Sequence, residues 1–191
     1  ISFINFKLRQ ICVFSIKKNM KLKKNLVLLG MMGSGKSTIG NIVSKKLNIK
    51  FIDIDSLIEE ETNMKIVKIF SEKGEFFFRN LEEKITLKTL LTSSKVISLG
   101  GGGFMNEKIR NEVIKNNISF WLNWDNFTLI NRIKKDKKRP IAANLNYNEL
   151  KELISKRAQI YSKAKFKIDC NKLNKTEIVN KIINLYENTQ N

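Results

Sequence analysis

Asn25-Leu26-Val27-Leu28-Leu29-Gly30-Met31-Met32-Gly33-Ser34-Gly35-Lys36-Ser37-Thr38 joins a short apolar run to a glycine-rich turn. Leu26 to Leu29 has the character of a strand buried on both faces. Gly30, Gly35, Lys36 and Ser37 then fit G-x-x-x-x-G-K-[ST], a phosphate-binding loop. Glycine lets the backbone curl so that successive N–H groups face phosphate oxygens, where a side chain would block the approach. Ile39, Ile42, Val43 and Leu47 follow at helical spacing, which predicts a helix over 36–47 stopped at Asn48. The N-terminus of that helix adds partial positive charge toward the same phosphates. Lys36 is placed to neutralise the β/γ end, and the Ser37 hydroxyl to ligate Mg²⁺. A plain glycine turn between strand and helix would need none of the four fixed positions. The chain is read as binding a nucleoside triphosphate.

The bulk properties narrow the rest. At 191 residues the chain forms one domain, with at most a small appendage, and can bury a substantial core. No apolar run approaches the roughly 20 residues of a membrane helix. Cys12 and Cys170 are the only cysteines and there is no histidine, which argues against a zinc site and for reduced thiols in a cytoplasmic protein. Without histidine, any general base is a carboxylate, a lysine, a tyrosine or a thiol. The net charge of +18 raises a nucleic-acid partner. The lysines are dispersed along the whole chain, however, which reads as compositional bias, and an anionic small substrate accounts equally well for a local positive field.

Along the chain, residues 1–19 are basic and acid-free, and Met20 stands where a natural start would fall. The segment is expected to be a non-native or poorly ordered extension, with an organellar targeting peptide as the alternative. Phe51 to Asp55 reads as a strand whose alternation sets Asp53 and Asp55 on one face at its carboxyl end, where open α/β sheets bind ligands. The alternative is that Asp55 or Ser56 caps the next helix, expected over 57–61. A helix from Glu75 to about Leu91 carries Phe76, Phe77 and Phe78, which are either core or the wall of a pocket beside Arg79. Arg79 itself is equally an ordinary surface ion pair with Glu82 or Glu83. The strand Lys95–Leu99 ends in Gly100, Gly101, Gly102 and Gly103, which permit close backbone approach by a ligand. A strand at 118–122, a helix at 125–135, a charged segment with Arg139 and Pro140, a helix at 147–164, a strand at 166–169 and a last helix follow. The charged segment is either an exposed basic loop or a lid that closes over phosphates. Five strands alternating with helices make an α/β three-layer α/β/α sandwich with a central parallel sheet.

Over about residues 21–186 these landmarks, in this order, resemble the shikimate kinase family, within the nucleoside-monophosphate-kinase-like P-loop folds. The landmarks are Gly30 to Thr38, Asp53-x-Asp55, Phe78-Arg79-x-x-Glu82, Gly100 to Gly102, Arg139-Pro140 and Arg157-x-x-x-Tyr161. The resemblance implies ATP-dependent phosphorylation of the 3-hydroxyl of shikimate, in the pathway to chorismate and aromatic amino acids, by a monomer with a lid at about 134–146. It implies that Asp55 accepts the hydroxyl proton, that Arg79 and Arg157 hold the substrate carboxylate, and that Glu82 supports Arg79. Phe78 and the backbone of Gly100, Gly101 and Gly102 would face the substrate. Gly33, Ser34, Gly35, Lys36, Ser37, Thr38, Arg132 and Arg139 would bind ATP, with Arg132 stacked on adenine and with Lys36 and Arg139 stabilising the transferring phosphoryl group. Ser37 and Asp53 would hold Mg²⁺. A related small-molecule kinase, such as a gluconate kinase, is the nearest rival, and a nucleic-acid-binding P-loop protein the rival from another class.

Overall fold

A computed structural model describes residues 24–135 and 145–190. The expected extension at 1–19 and the centre of the expected lid, with Arg139 and Pro140, lie outside the described residues.

The apolar run becomes β1 (Leu26–Leu29), every residue of which is buried. It is followed by α1 (Lys36–Leu47), β2 (Lys50–Asp53), α2 (Ile54–Thr62), α3 (Ile66–Leu90), β3 (Lys95–Ser98), a 3-10 turn (Gly103–Met105), α4 (Glu107–Asn116), β4 (Ile118–Asn123), α5 (Asn126–Lys135), α6 (Tyr147–Tyr161), β5 (Phe166–Asp169) and α7 (Lys175–Gln190). The five strands form one parallel sheet in the order β2-β3-β1-β4-β5.

Alternation along each strand sends side chains to opposite faces, and the two cores follow from it. Val27, Leu29, Ile97, Leu99 and Trp121 pack with residues of α2 through α6, including Ile58, Ile85, Val113, Leu129 and Ile154. Leu26, Leu28, Val96, Phe120 and Ile168 pack against Ile39 and Val43 of α1 and Ile178, Val179 and Ile182 of α7. The result is the expected three-layer sandwich. β1 lies between β3 and β4, so the chain crosses over it after β3, and the loops following β3, β1 and β4 emerge side by side. That edge is the crevice where open α/β sheets bind ligands.

Helix ends match their sequence signals closely. Asn48 adopts φ 52° beyond α1, and Asn63 adopts φ 50° beyond α2, a conformation asparagine tolerates better than most residues. Asn106 accepts a hydrogen bond from the Ile109 N–H at the start of α4. One expected element is corrected. The strand over 51–55 ends at Asp53, and α2 begins at Ile54. Asp53 is the cap, accepting from the N–H groups of Asp55 and Ser56 at 3.1 and 3.4 Å. Asp55 therefore sits in the first turn of a helix, and the two carboxylates do not share a strand face. Local capping energy, about 1 kcal/mol, decided what alternation alone could not.

Candidate active site

At the carboxyl edge of the sheet lies a cavity of about 600 Å³. Its lining brings together Ser37 from the phosphate loop, Asp53 and Asp55, Phe78, Arg79 and Glu82 from α3, Gly101 and Gly102, and Arg157 from α6.

The loop has the expected curled backbone, with Gly30, Gly33 and Gly35 at φ 143°, 77° and 89°. Lys36 is nearly buried and its ammonium donates to the carbonyls of Gly30 and Met31 at 2.9 and 3.0 Å. Ser37 donates to Asp53 Oδ2 at 2.5 Å, setting a hydroxyl and a carboxylate together beside the loop. Thr38 is exposed at the start of α1. Arg132 donates to the Gly33 carbonyl at 3.3 Å, with its guanidinium 3.9 Å from the centre of the Trp124 ring.

Across the cavity, Arg79 is fixed from two sides. Its Nη1 donates to Glu82 at 2.5 Å, and its Nε and Nη2 donate to Glu75 at 3.2 and 3.1 Å. A guanidinium has five donors, and these contacts engage three of them. Burial opposes the charge on Arg79, and the carboxylates of Glu82 and Glu75 more than offset it, holding its pKa above the ordinary value. Both earlier readings of Arg79 therefore hold together: it makes helix ion pairs and it lines the cavity.

Glu82 is only 3% exposed at its side chain. Burial pushes its carboxyl above the usual carboxylate range, against the pull of Arg79, and the nearby Asp55 pushes in the same direction as burial. Arg157 and Tyr161, one turn apart on α6, converge on a single acceptor. The Arg157 guanidinium and the Tyr161 hydroxyl donate to the Gly101 carbonyl at 3.1 and 2.5 Å. Burial pushes the Tyr161 phenol up to about 12, so it stays a neutral donor across the working pH range.

The glycine run has a second reason beside the one its sequence suggested. A Cβ on Gly102 would stand 2.7 Å from Arg79 Nη1, and one on Gly100 would stand 2.4 Å from Glu82 and 2.7 Å from Asp55. The glycines make room for the protein's own charged side chains. Gly101 and Gly102 line the cavity, whereas Gly100 is not among its lining residues and lies behind, against the two carboxylates.

Of the phenylalanine triplet, Phe78 is buried and lines the cavity, its ring 5.2 Å from the Arg79 guanidinium carbon. Phe76 is 81% exposed and Phe77 is 44% exposed. Sequence reasoning missed Phe70 and Met32 in the lining, for which no local pattern existed. It also missed Glu75, although its i,i+4 spacing to Arg79 was a usable signal.

The chain is similar to known proteins over most of its length. A sequence model described as shikimate kinase matches residues 32–187. A shikimate kinase of Sulfurihydrogenibium sp. is 41% identical over 160 residues, covering 84% of this chain and 96% of the relative. A solved shikimate kinase from Acinetobacter baumannii, in complex with shikimate, superposes with a TM-score of 0.83 at 27% identity, over 91% of this chain and 98% of that one. A gluconokinase from Sinorhizobium meliloti shares the fold alone, with a TM-score of 0.57 at 15% identity over 88% of this chain and 94% of that one. With the family model spanning most of its length and a relative above 40% identity, this chain belongs to the shikimate kinase family.

Proposed function

We propose that the cavity holds shikimate against the phosphate loop and that the chain transfers the γ-phosphoryl group of ATP to the 3-hydroxyl. The observation that carries this reading is the convergence of two arginines, Arg79 and Arg157, with the Asp55 carboxylate in a cavity that also includes Ser37 of the loop. A small polyhydroxy acid needs such a set: guanidinium donors for its carboxylate and a base beside the hydroxyl that reacts. Attack by the hydroxyl oxygen forms the new P–O bond and breaks the bond from the γ-phosphorus to ADP. The hydroxyl proton passes to the Asp55 carboxylate. A weakly basic carboxylate suffices because phosphoryl transfer depends mainly on positioning and charge stabilisation.

Arg79 is pre-aimed by Glu82 and Glu75, so less ordering is required when substrate binds. Lys36 stabilises charge on the phosphoryl oxygens, and Arg139 of the lid is assigned the same task. The Ser37 and Asp53 oxygens are hard donors of the kind Mg²⁺ prefers, and they stand together beside the loop. They would hold the ion directly or through water. When bound, Mg²⁺ neutralises phosphate charge. The family resemblance extends the reading to a monomer acting in the cytoplasm.

A coupled ADP-release assay with Mg-ATP, comparing shikimate, gluconate, a nucleoside monophosphate and no acceptor, tests the assignment. Release that depends on shikimate alone is expected. Equal slow release under every condition would discard the acceptor while leaving the nucleotide site in place.

A further inference from the structure

A phosphate loop works by turning its N–H groups inward, and the carbonyls of the same peptides then need donors on the outer side. Lys36 serves Gly30 and Met31, and the Ile39 N–H serves Gly35 at 2.9 Å. The carbonyls at the tip, those of Gly33 and Ser34, are met by side chains from the β4–α5 unit. Arg132 donates to Gly33 at 3.3 Å, and the Trp124 indole N–H donates to Ser34 at 3.0 Å. The two donors are themselves stacked, with the Arg132 guanidinium carbon 3.9 Å from the Trp124 ring centre.

The turn that carries Trp124 is fixed at its next residue. The Asp125 N–H donates to Asn171 at 2.9 Å, and the Asp125 carboxylate accepts from Thr128 at the start of α5. Packing of the half-buried Trp124 ring alone would not require its N–H to end on the phosphate loop. An indole nitrogen is a donor only, so this contact cannot compete for the loop's inward N–H groups.

We propose that Trp124 is a positioning residue of the nucleotide site. Its N–H holds the Ser34 peptide in the orientation that faces phosphate, and its ring fixes the plane of Arg132 for the base. This rests on the reading that the loop binds ATP. Phenylalanine at 124 keeps a ring under Arg132 and removes the donor, whereas leucine removes both.

The test measures kcat, the KM of each substrate, the Kd of ADP and the melting temperature for the wild type, Trp124→Phe and Trp124→Leu. Loss of one hydrogen bond predicts that Trp124→Phe raises the ATP KM and the ADP Kd about three- to tenfold. The shikimate KM should stay within about twofold, and Trp124→Leu should exceed Trp124→Phe. An ADP Kd unchanged in both variants overturns the proposal, as does an equal rise in both substrate KM values. A wild-type chain that binds no ADP overturns the nucleotide reading itself.

If the variants do not fold, the unmodified protein carries the test. In ¹⁵N spectra, an indole N–H resonance should move on saturating MgADP and not on shikimate. Two indole resonances that both stay still under MgADP would overturn the proposal.

Discussion

Asp55 and Arg79 divide the work of the site between turnover and binding, and substitutions should separate the two. Asp55→Asn keeps the size of the side chain and removes the proton acceptor. It should reduce kcat by at least about a hundredfold while ADP affinity measured by calorimetry stays within a fewfold; wild-type turnover would remove Asp55 from its role. Arg79→Lys keeps one charge but loses the planar fork. It should raise the shikimate KM by about tenfold or more with a smaller change in the ATP KM, measured by steady-state kinetics. Glu82 gives the site a pH dependence whose sign follows from its raised pKa. The folded protein takes up this proton at a higher pH than an exposed glutamate would. As pH falls, the charge facing Arg79 is lost early, and the shikimate KM should rise on the acid limb above the usual carboxylate range. Glu82→Gln should show a raised KM already at neutral pH and lose that inflection; a variant profile matching the wild type would sever Glu82 from substrate binding.

The elements explain how these side chains reach one cavity. α3 runs from Ile66 to Leu90 but is broken at Gly74, at φ 81° and ψ 170°, a region essentially reserved for glycine. The break separates the segment bearing Ile66, Val67 and Phe70 from the one bearing Phe78, Arg79 and Glu82, and all six line the cavity. Nothing lies within 4 Å of a Cβ built at Gly74, so Gly74→Ala tests backbone conformation without a clash. It should cost about 1–3 kcal/mol of stability, read as a lower midpoint in urea, and should raise the shikimate KM. A midpoint unchanged in that variant would mean the break is not held by the glycine. A glycine between two apolar helical stretches is a local signal for such a break. The exact aim of the second segment has no such signal, because it depends on packing of Phe78 against Phe70, with ring centroids 4.7 Å apart.

At the scale of the whole molecule, the net charge of +18 acts on substrates that are themselves anionic. Long-range attraction is screened within about 8–10 Å at ordinary ionic strength, so kcat/KM for shikimate should fall as KCl is raised while kcat changes little. A salt-independent kcat/KM would show that the charge does not steer substrate. The sequence by itself determined the phosphate loop, the parallel α/β class and the bounds of the helix at 36–47, because these rest on local spacing, capping and backbone conformation. It also carried the candidate residues Asp55, Arg79 and Arg157, since their motifs are short. Only the tertiary structure decided that Arg79, held by its helix neighbours Glu75 and Glu82, lines the cavity, and that Gly100 and Gly102 leave room for side chains from elsewhere in the chain. It alone set Trp124 and Arg132 behind the loop. The contacts of these glycines, Trp124 and Arg132 join residues far apart in the chain, up to 99 positions for Arg132 and Gly33. The strand order β2-β3-β1-β4-β5 brings the distant partners to one edge, and no local pattern encodes which loops will meet there.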